Sequence, residues 1–307
     1  MTYISGEKMY TPLKDSKKHV ILDTDIGPDC DDAGALAVMF YFVRKYSVKI
    51  LMTVNCTSNI YGNGTLDAIN SFCGFGETEI AQYQGKGFLD GEEHMKFNRF
   101  ISENLSERFM NGSLKVSSSS EAYSRLLKGA EDDSIVIITI GQFNTVAEAL
   151  RNDPSLFNRK VSAVVSMAQC VPSGREYNVF CDAASSQYFF NEYKGPIICS
   201  NFEVGETVMS GFDDPSGFEH NPIKAAYYLY TDGKMKRMSW DPTTVHFAFT
   251  ADEDFYRVSE PGWFKVNDDG SDEFVPDSNG RHFYLIKQAD DRSIADFLDS
   301  VYSSFEG

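Results

Sequence analysis

The chain has 307 residues, of which 42% are hydrophobic and 24% charged, enough to bury one large core or two modest ones. Its 45 acidic and 28 basic side chains give a formal net charge of −17. A field of that sign repels polyphosphates, which excludes nucleic-acid polymers and anionic membrane surfaces as favoured partners and leaves small neutral or cationic ligands. Residues 1–18 are polar with no apolar stretch of the signal-peptide kind, and no segment approaches the roughly 18 consecutive apolar residues of a membrane span, so a cytoplasmic location is expected.

Residues 20–26 form a short apolar run that ends in acidic residues and Gly27, read as a first strand. Asp31–Tyr46 follows as a helix, because Ala35, Leu36, Val38, Met39, Phe42 and Val43 recur at helical spacing. Residues 48–54 read as a second strand. Residues 134–140, Ser-Ile-Val-Ile-Ile-Thr-Ile, are the near-continuous apolar run of a strand covered on both faces, and residues 144–150 begin a helix after Gly141. Residues 161–168 and 196–200 read as further buried strands, with a helix over 182–193 between them. Strands alternating with helices imply βαβ units and an α/β fold with a mostly parallel open sheet flanked by helices. The pattern changes near Glu253. Residues 255–258, 263–266 and 273–275 and His282–Lys287 are short, aromatic-rich and punctuated by Pro, Gly, Asn and Asp, as in antiparallel hairpins. An amphipathic helix over 293–305 closes the chain. With no linker-like stretch, residues 1–307 are expected to form a single domain carrying a β appendage at about 253–290.

The segment Asp23-Thr24-Asp25-Ile26-Gly27-Pro28-Asp29-Cys30-Asp31-Asp32 carries the chemistry. In an open α/β sheet, ligands gather beyond the carboxyl ends of the strands, where Asp23 and Asp25 fall, and Asp31 and Asp32 open the next helix. Five carboxylates converging there repel one another unless a hard divalent cation sits among them, and Ca²⁺ tolerates irregular oxygen geometry better than Mg²⁺. Helix capping accounts for Asp31 and Asp32 but not for Asp23 and Asp25. No H-E-x-x-H, G-x-S-x-G, Walker loop or complete G-x-G-x-x-G is present. The histidines (His19, His94, His220, His246, His282) show no ligand spacing and read as surface or satisfied core. The six cysteines (Cys30, Cys56, Cys73, Cys170, Cys181, Cys199) contain no C-x-x-C pair and read as small hydrophobes in a reducing compartment.

Val-Ile-Leu-Asp-Thr-Asp-Ile-Gly at 20–27, followed by Asp31-Asp32-Ala33-Gly34-Ala35-Leu36, resembles the N-terminal signature of the inosine/uridine-preferring nucleoside hydrolases. Three later segments agree in order: Ile138-Thr139-Ile140-Gly141-Gln142-Phe143-Asn144-Thr145; Met167 through Arg175-Glu176-Tyr177-Asn178 to Asp182; and Ser239-Trp240-Asp241-Pro242-Thr243-Thr244-Val245. The match spans roughly residues 19–250. The resemblance implies hydrolysis of the N-glycosidic bond of ribonucleosides or related N-ribosides. It implies a Ca²⁺ cofactor held by Asp25, Asp32, the backbone carbonyl of Ile140 and Asp241, with Asp25 as the base toward the attacking water. Asp31 would accept a hydrogen bond from the 2′-hydroxyl, Asn178 would bind the diol, and Glu176 the 5′-hydroxyl. The implied partner is a small nucleoside or ribose-containing substrate, and the family's dimers and tetramers imply homo-oligomerisation.

The chain departs from the family pattern at four places. The aspartate loop is two residues longer, so Asp29 is unassigned and could take a role given to Asp25 or Asp31. The family's 5′-hydroxyl asparagine falls on Cys170. The histidine that protonates the departing base falls on Trp240, which can stack on a base but cannot protonate it. The asparagine after the second strand matches either Asn55 or Asn59. Two other readings stand beside the hydrolase: a non-catalytic Ca²⁺/ribose-binding homologue, motivated by Trp240 and Cys170, and a Mg²⁺-dependent phosphatase or phosphotransferase using Asp23-x-Asp25.

Overall fold

Five consecutive β-branched residues, Ile135–Thr139, are wholly buried in the interior of the sheet that organises the molecule, because β-branched side chains pack well on a pleated surface covered on both faces. The structure is a computed structural model describing residues 3–4, 7–8 and 10–305; residues 1, 2, 5, 6 and 9 of the polar N-terminal stretch, and residues 306–307, lie outside the described residues. The strands that matter here are β1 (His19–Thr24), β2 (Ile50–Asn55), β3 (Glu79–Gln82), β4 (Val116–Ser118), β5 (Ile135–Thr139), β6 (Val161–Met167), β7 (Ile197–Ser200), β8 (Gly262–Val266), β9 (Asp272–Pro276) and β10 (His282–Lys287). Their order in the sheet is β4-β3-β2-β1-β5-β6-β7-β10-β8-β9. The run from β4 to β10 is parallel throughout, with Leu22 opposite Thr53 on one side and Ile138 on the other.

Side chains alternate between the two faces, so each strand feeds two cores. Val20, Leu22, Val136 and Ile138 join one apolar cluster, and Ile21, Ile135 and Ile137 join the other. Helix α1 (Asp31–Tyr46) lies in the first cluster and is buried at twelve positions, consistent with a helix that is apolar on nearly every side. It packs on α4 (Trp240–Thr250) and α5 (Asp291–Ser303). Helices α2 (Ile60–Phe72) and α3 (Tyr177–Cys181) follow β2 and β6. The chain runs outward from β1 through β2, β3 and β4, then returns to β5 on the other side of β1. This reversal makes a topological switch point at β1 and β5, and the crevice beyond their carboxyl ends is where such sheets bind ligands. No helix among the described residues is long and apolar enough to cross a membrane.

The expected parallel sheet and the C-terminal antiparallel strands are present, with shifts at their edges. The first strand stops at Thr24 instead of 26, because the Ile26 N–H turns to the Thr24 hydroxyl (3.1 Å) and its carbonyl accepts from Asn98 Nδ2 (2.8 Å). Gly27 sits at φ +150°, and a Cβ there would meet the His94 carbonyl at 2.8 Å. The last helix spans Asp291–Ser303, two residues earlier than expected, because Asp290 caps it by accepting from the Ser293 N–H at 3.0 Å. Of the C-terminal strands, β8 and β9 form a hairpin, whereas β10 extends the parallel run beside β7 and takes Tyr256–Val258 antiparallel on its other edge. All six cysteines are free, and Cys30, Cys56, Cys73 and Cys199 are buried.

Two histidines are core residues. His246 on α4 lies 4.4 Å from the ring of Phe297 and 3.2 Å from the Tyr256 hydroxyl, and His282 on β10 accepts the Phe264 N–H at 3.0 Å. Burial pushes both imidazoles down to about 3. A histidine pKa below its unfolded value gives stability that is present above about pH 6.5 and lost as pH falls toward the folded value. Each is therefore expected to remove up to about 1.4 kcal/mol of stability per pH unit between 6.5 and 3. Urea unfolding at stepped pH should show a slope shallower by about that amount in His246→Leu.

Candidate functional site

Two helix N-termini meet beyond the carboxyl ends of β1 and β5. Asp31 and Asp32 open α1, and Asp241 is the second residue of α4. Both positions place carboxylates against the positive ends of helix dipoles. The backbone N–H of Asp241 donates to Asp31 Oδ2 at 3.1 Å, and the Thr24 hydroxyl donates to Asp32 Oδ1, so strand β1, α1 and α4 are tied together through the cluster. Asp25 follows β1 and accepts from Gln142 Nε2 at 2.8 Å. Asp23 lies deeper. It accepts from the hydroxyls of Tyr123 (2.7 Å) and Thr145 (2.6 Å), does not border the cavity, and is pushed up to about 7 by burial.

Asp25, Asp31, Asp32 and Asp241 border one cavity of about 470 Å³ and are all buried. Burial raises all four carboxyls above their ordinary range, and repulsion within the cluster and from Asp29 adds to it. Asp31, Asp32 and Asp241 can bring one carboxylate oxygen each within 4.8 Å of one another. Two oxygens bound to one hard divalent ion at about 2.3–2.6 Å lie at most roughly 5 Å apart, so this oxygen-only donor set fits such an ion in chemistry and span. The sequence reading assigned Asp25 to the ion and Asp31 to the sugar, while the tightest grouping contains Asp31; all four carboxylates share the cavity.

The remaining expected residues converge on the same cavity. Ile140 borders it, and its carbonyl accepts from Asn178 Nδ2 at 3.2 Å, leaving its second lone pair. Asn178 also donates to the Met167 carbonyl (3.1 Å) and accepts from Gln142 (3.1 Å). Glu176 caps α3, accepting from the N–H groups of Asn178 (2.8 Å) and Val179 (3.1 Å), and burial pushes its carboxyl up to about 7. Trp240 borders the cavity, partly exposed, and its indole N–H is spent on the Phe202 carbonyl at 2.9 Å. Cys170 does not border it, and neither asparagine candidate does: Asn55 donates to the Asn59 carbonyl (2.9 Å), and Asn59 caps α2.

Four contributors went unnoticed in the sequence. Gln142 bridges Asp25 and Asn178. Asp272 on β9 accepts the N–H groups of Cys170 (2.8 Å) and Glu176 (3.2 Å), so the C-terminal hairpin holds the loop that carries Glu176. Arg237 pairs with Asp29, its Nε reaching Asp29 Oδ1 at 2.9 Å, and Tyr230 lies beside it. Gln142 lies within the quoted 138–145 segment but was given no role there, and no local motif marks Arg237, which stands 208 residues from its partner. Asp29, left without a role by the sequence, is thus the arginine's anchor.

A doubly flanked parallel sheet whose switch point opens on a cavity walled by buried carboxylates defines an α/β enzyme site with an acidic lining compatible with a metal ion. The family model of the inosine-uridine preferring nucleoside hydrolases matches residues 20–266, and the chain belongs to that family of hydrolases. Among solved structures, a plant nucleoside hydrolase is 17% identical, with a TM-score of 0.69 over 93% of this chain and 99% of the other. The inosine-uridine preferring nucleoside hydrolase of Bacillus anthracis is 16% identical, with a TM-score of 0.68 over 92% and 98%. An inosine-guanosine nucleoside hydrolase is 19% identical, with a TM-score of 0.70 over 92% and 98%. At such identities the likeness establishes the fold. In sequence, no curated protein matches the chain.

Like charges packed without a cation destabilise the fold, which gives the cluster a direct test. In chelator, Asp32→Asn is expected to raise stability by about 1–4 kcal/mol, because a buried charge with no cation beside it costs more than it returns. Thermal melts with added divalent ion should reverse the ranking, since the ion stabilises the unsubstituted chain more.

Proposed function

We propose that the protein is a Ca²⁺-dependent hydrolase that cleaves the N-glycosidic bond of ribonucleosides or related N-ribosides to free base and ribose. The observation that carries this reading is the set of buried carboxylates converging on one cavity in a chain of this family. Asp25, Asp32, Asp241 and the Ile140 carbonyl would hold the ion. When bound, Ca²⁺ lowers the pKa of a coordinated water and grips sugar hydroxyls.

The chain's own residues do the rest. Asp25, steadied by Gln142, accepts a proton from the attacking water. Asp31 accepts from the 2′-hydroxyl, and Asn178 binds the diol. Glu176 already serves backbone N–H groups, but a carboxylate has about four acceptor sites and keeps capacity for the 5′-hydroxyl. The carboxylates also face the positive charge that develops on the sugar as the bond breaks. A phosphoryl-transfer reading has less support, because only two Lys or Arg side chains among the described residues, Lys96 and Arg237, border a cavity that carries four buried aspartates.

Ribose release from a nucleoside panel tests the proposal. Activity is expected with Ca²⁺ and to vanish in chelator, and Asp25→Ala is expected to lower kcat by about 10²–10⁴-fold, the usual worth of a positioned base. Turnover indifferent to chelation or to Asp25→Ala would overturn the mechanism. Ribose binding with no turnover of any nucleoside would replace the enzyme reading with a binding one.

A further inference from the structure

The hydrolase reading leaves the departing base without help, and the groups around the cavity point to one source. Trp240 stands where a protonating histidine is expected, and its only donor is consumed by the Phe202 carbonyl. Beside it, the Arg237 guanidinium carbon lies 5.3 Å from the Trp240 ring and 5.4 Å from the Tyr230 ring, and all three side chains border the cavity. Asp29 takes Nε and one Nη2 donor of Arg237, and the Met238 sulfur takes one Nη1 donor at 3.3 Å. A guanidinium carries five N–H donors. Two of Arg237's five therefore remain, one on each terminal nitrogen, with no acceptor among the described residues.

We propose that Arg237, stacked beside Trp240 and Tyr230 and aimed by Asp29, binds the leaving base and stabilises the negative charge that develops on it. This rests on the N-riboside hydrolase reading above. The inference assigns a task to the two extra residues of the aspartate loop, since Asp29 lies within it. Burial works against the charge on Arg237, but the Asp29 hydrogen bonds and charge more than offset it, so the guanidinium stays protonated and cannot act as an acid. It acts by hydrogen bonding alone. The C1′–N bond breaks with its electron pair leaving on the base, and the water oxygen bonds to C1′. One water proton passes to Asp25 and on to solvent, and the base anion beside Arg237 takes one proton from solvent. Trp240 and Tyr230 supply flat apolar surface, so the favoured leaving groups are planar heteroaromatics that present carbonyl oxygens or bare ring nitrogens to the guanidinium. Asp29 is a positioning residue, acting through Arg237.

Steady-state kinetics on two kinds of substrate separate this role from a structural one. A 4-nitrophenyl riboside departs as a stable phenolate and needs little stabilisation, whereas inosine and uridine leave as poor anions. Arg237→Met is expected to lower kcat/KM on inosine and uridine by about a hundredfold, the cost of losing one charge-stabilising donor. Its loss on the nitrophenyl riboside should be at least about tenfold smaller. Asp29→Asn should show the same bias at lower amplitude, and Arg237→Lys should restore part of the rate on the nucleosides. Equal losses on both kinds of substrate would overturn the inference. So would a base-selective loss in His94→Gln that is absent from Arg237→Met, because His94 also borders the cavity and can donate a proton. If the unsubstituted protein hydrolyses neither kind of riboside, it is the hydrolase reading that fails.

Discussion

Four buried aspartates pointing into one cavity constrain the rest of this molecule. Asp25, Asp31 and Asp32 come from the end of β1 and the start of α1, and Asp241 from the start of α4, 210 residues beyond Asp31. Carboxylates of one sign at this burial repel strongly, so the fold has to hold them from behind. It does so with neutral donors: the Thr24 hydroxyl on Asp32, the Asp241 N–H on Asp31, and the Gln142 amide on Asp25. Helix dipoles contribute at two of the three origins. None of these donors is a cation, which leaves the cluster with charge that a metal ion can answer.

The support continues into a deeper layer. Asp23, with Tyr123 and Thr145, links β1 to the helices Ser119–Gly129 and Asn144–Asn152 beneath the site. On the other side, Asp272 grips the backbone around Glu176. The C-terminal hairpin, an addition to the parallel sheet by its sequence pattern, is thereby part of the architecture of the site. A cavity whose floor is set by a parallel sheet and whose wall is held by a distant hairpin has its geometry fixed by packing on both sides, which is what positioning a ligand requires.

Asp29 shows how one side chain in a loop can hold a distant one in place. The loop joining β1 to α1 carries it, while α1 starts at Asp31 and its aspartates reach the cavity. Asp29 pairs with Arg237, on the short strand Lys236–Met238 just before α4. The pair fixes a cation beside Trp240 at the cavity wall.

Much of the fold was legible in the chain, for a physical reason. Parallel strands buried on both faces must be continuous apolar runs, so 134–140 and 161–168 announced themselves, and a helix apolar on nearly every side announced α1. Short strands such as Glu79–Gln82 and the edge strand Val116–Ser118 carry little such signal, and β10 looked like its hairpin neighbours because only its pairing with β7 makes it parallel. The aspartate density also named the site, since five carboxylates within ten residues have few explanations. Tertiary structure alone decided which of them meet: it sent Asp23 beneath the cavity and Asp29 to Arg237, and it brought Asp241 to Asp31 across 210 residues. Local sequence fixes the type and number of charged groups, but their distances depend on which helix ends the sheet brings together, and that is a property of packing.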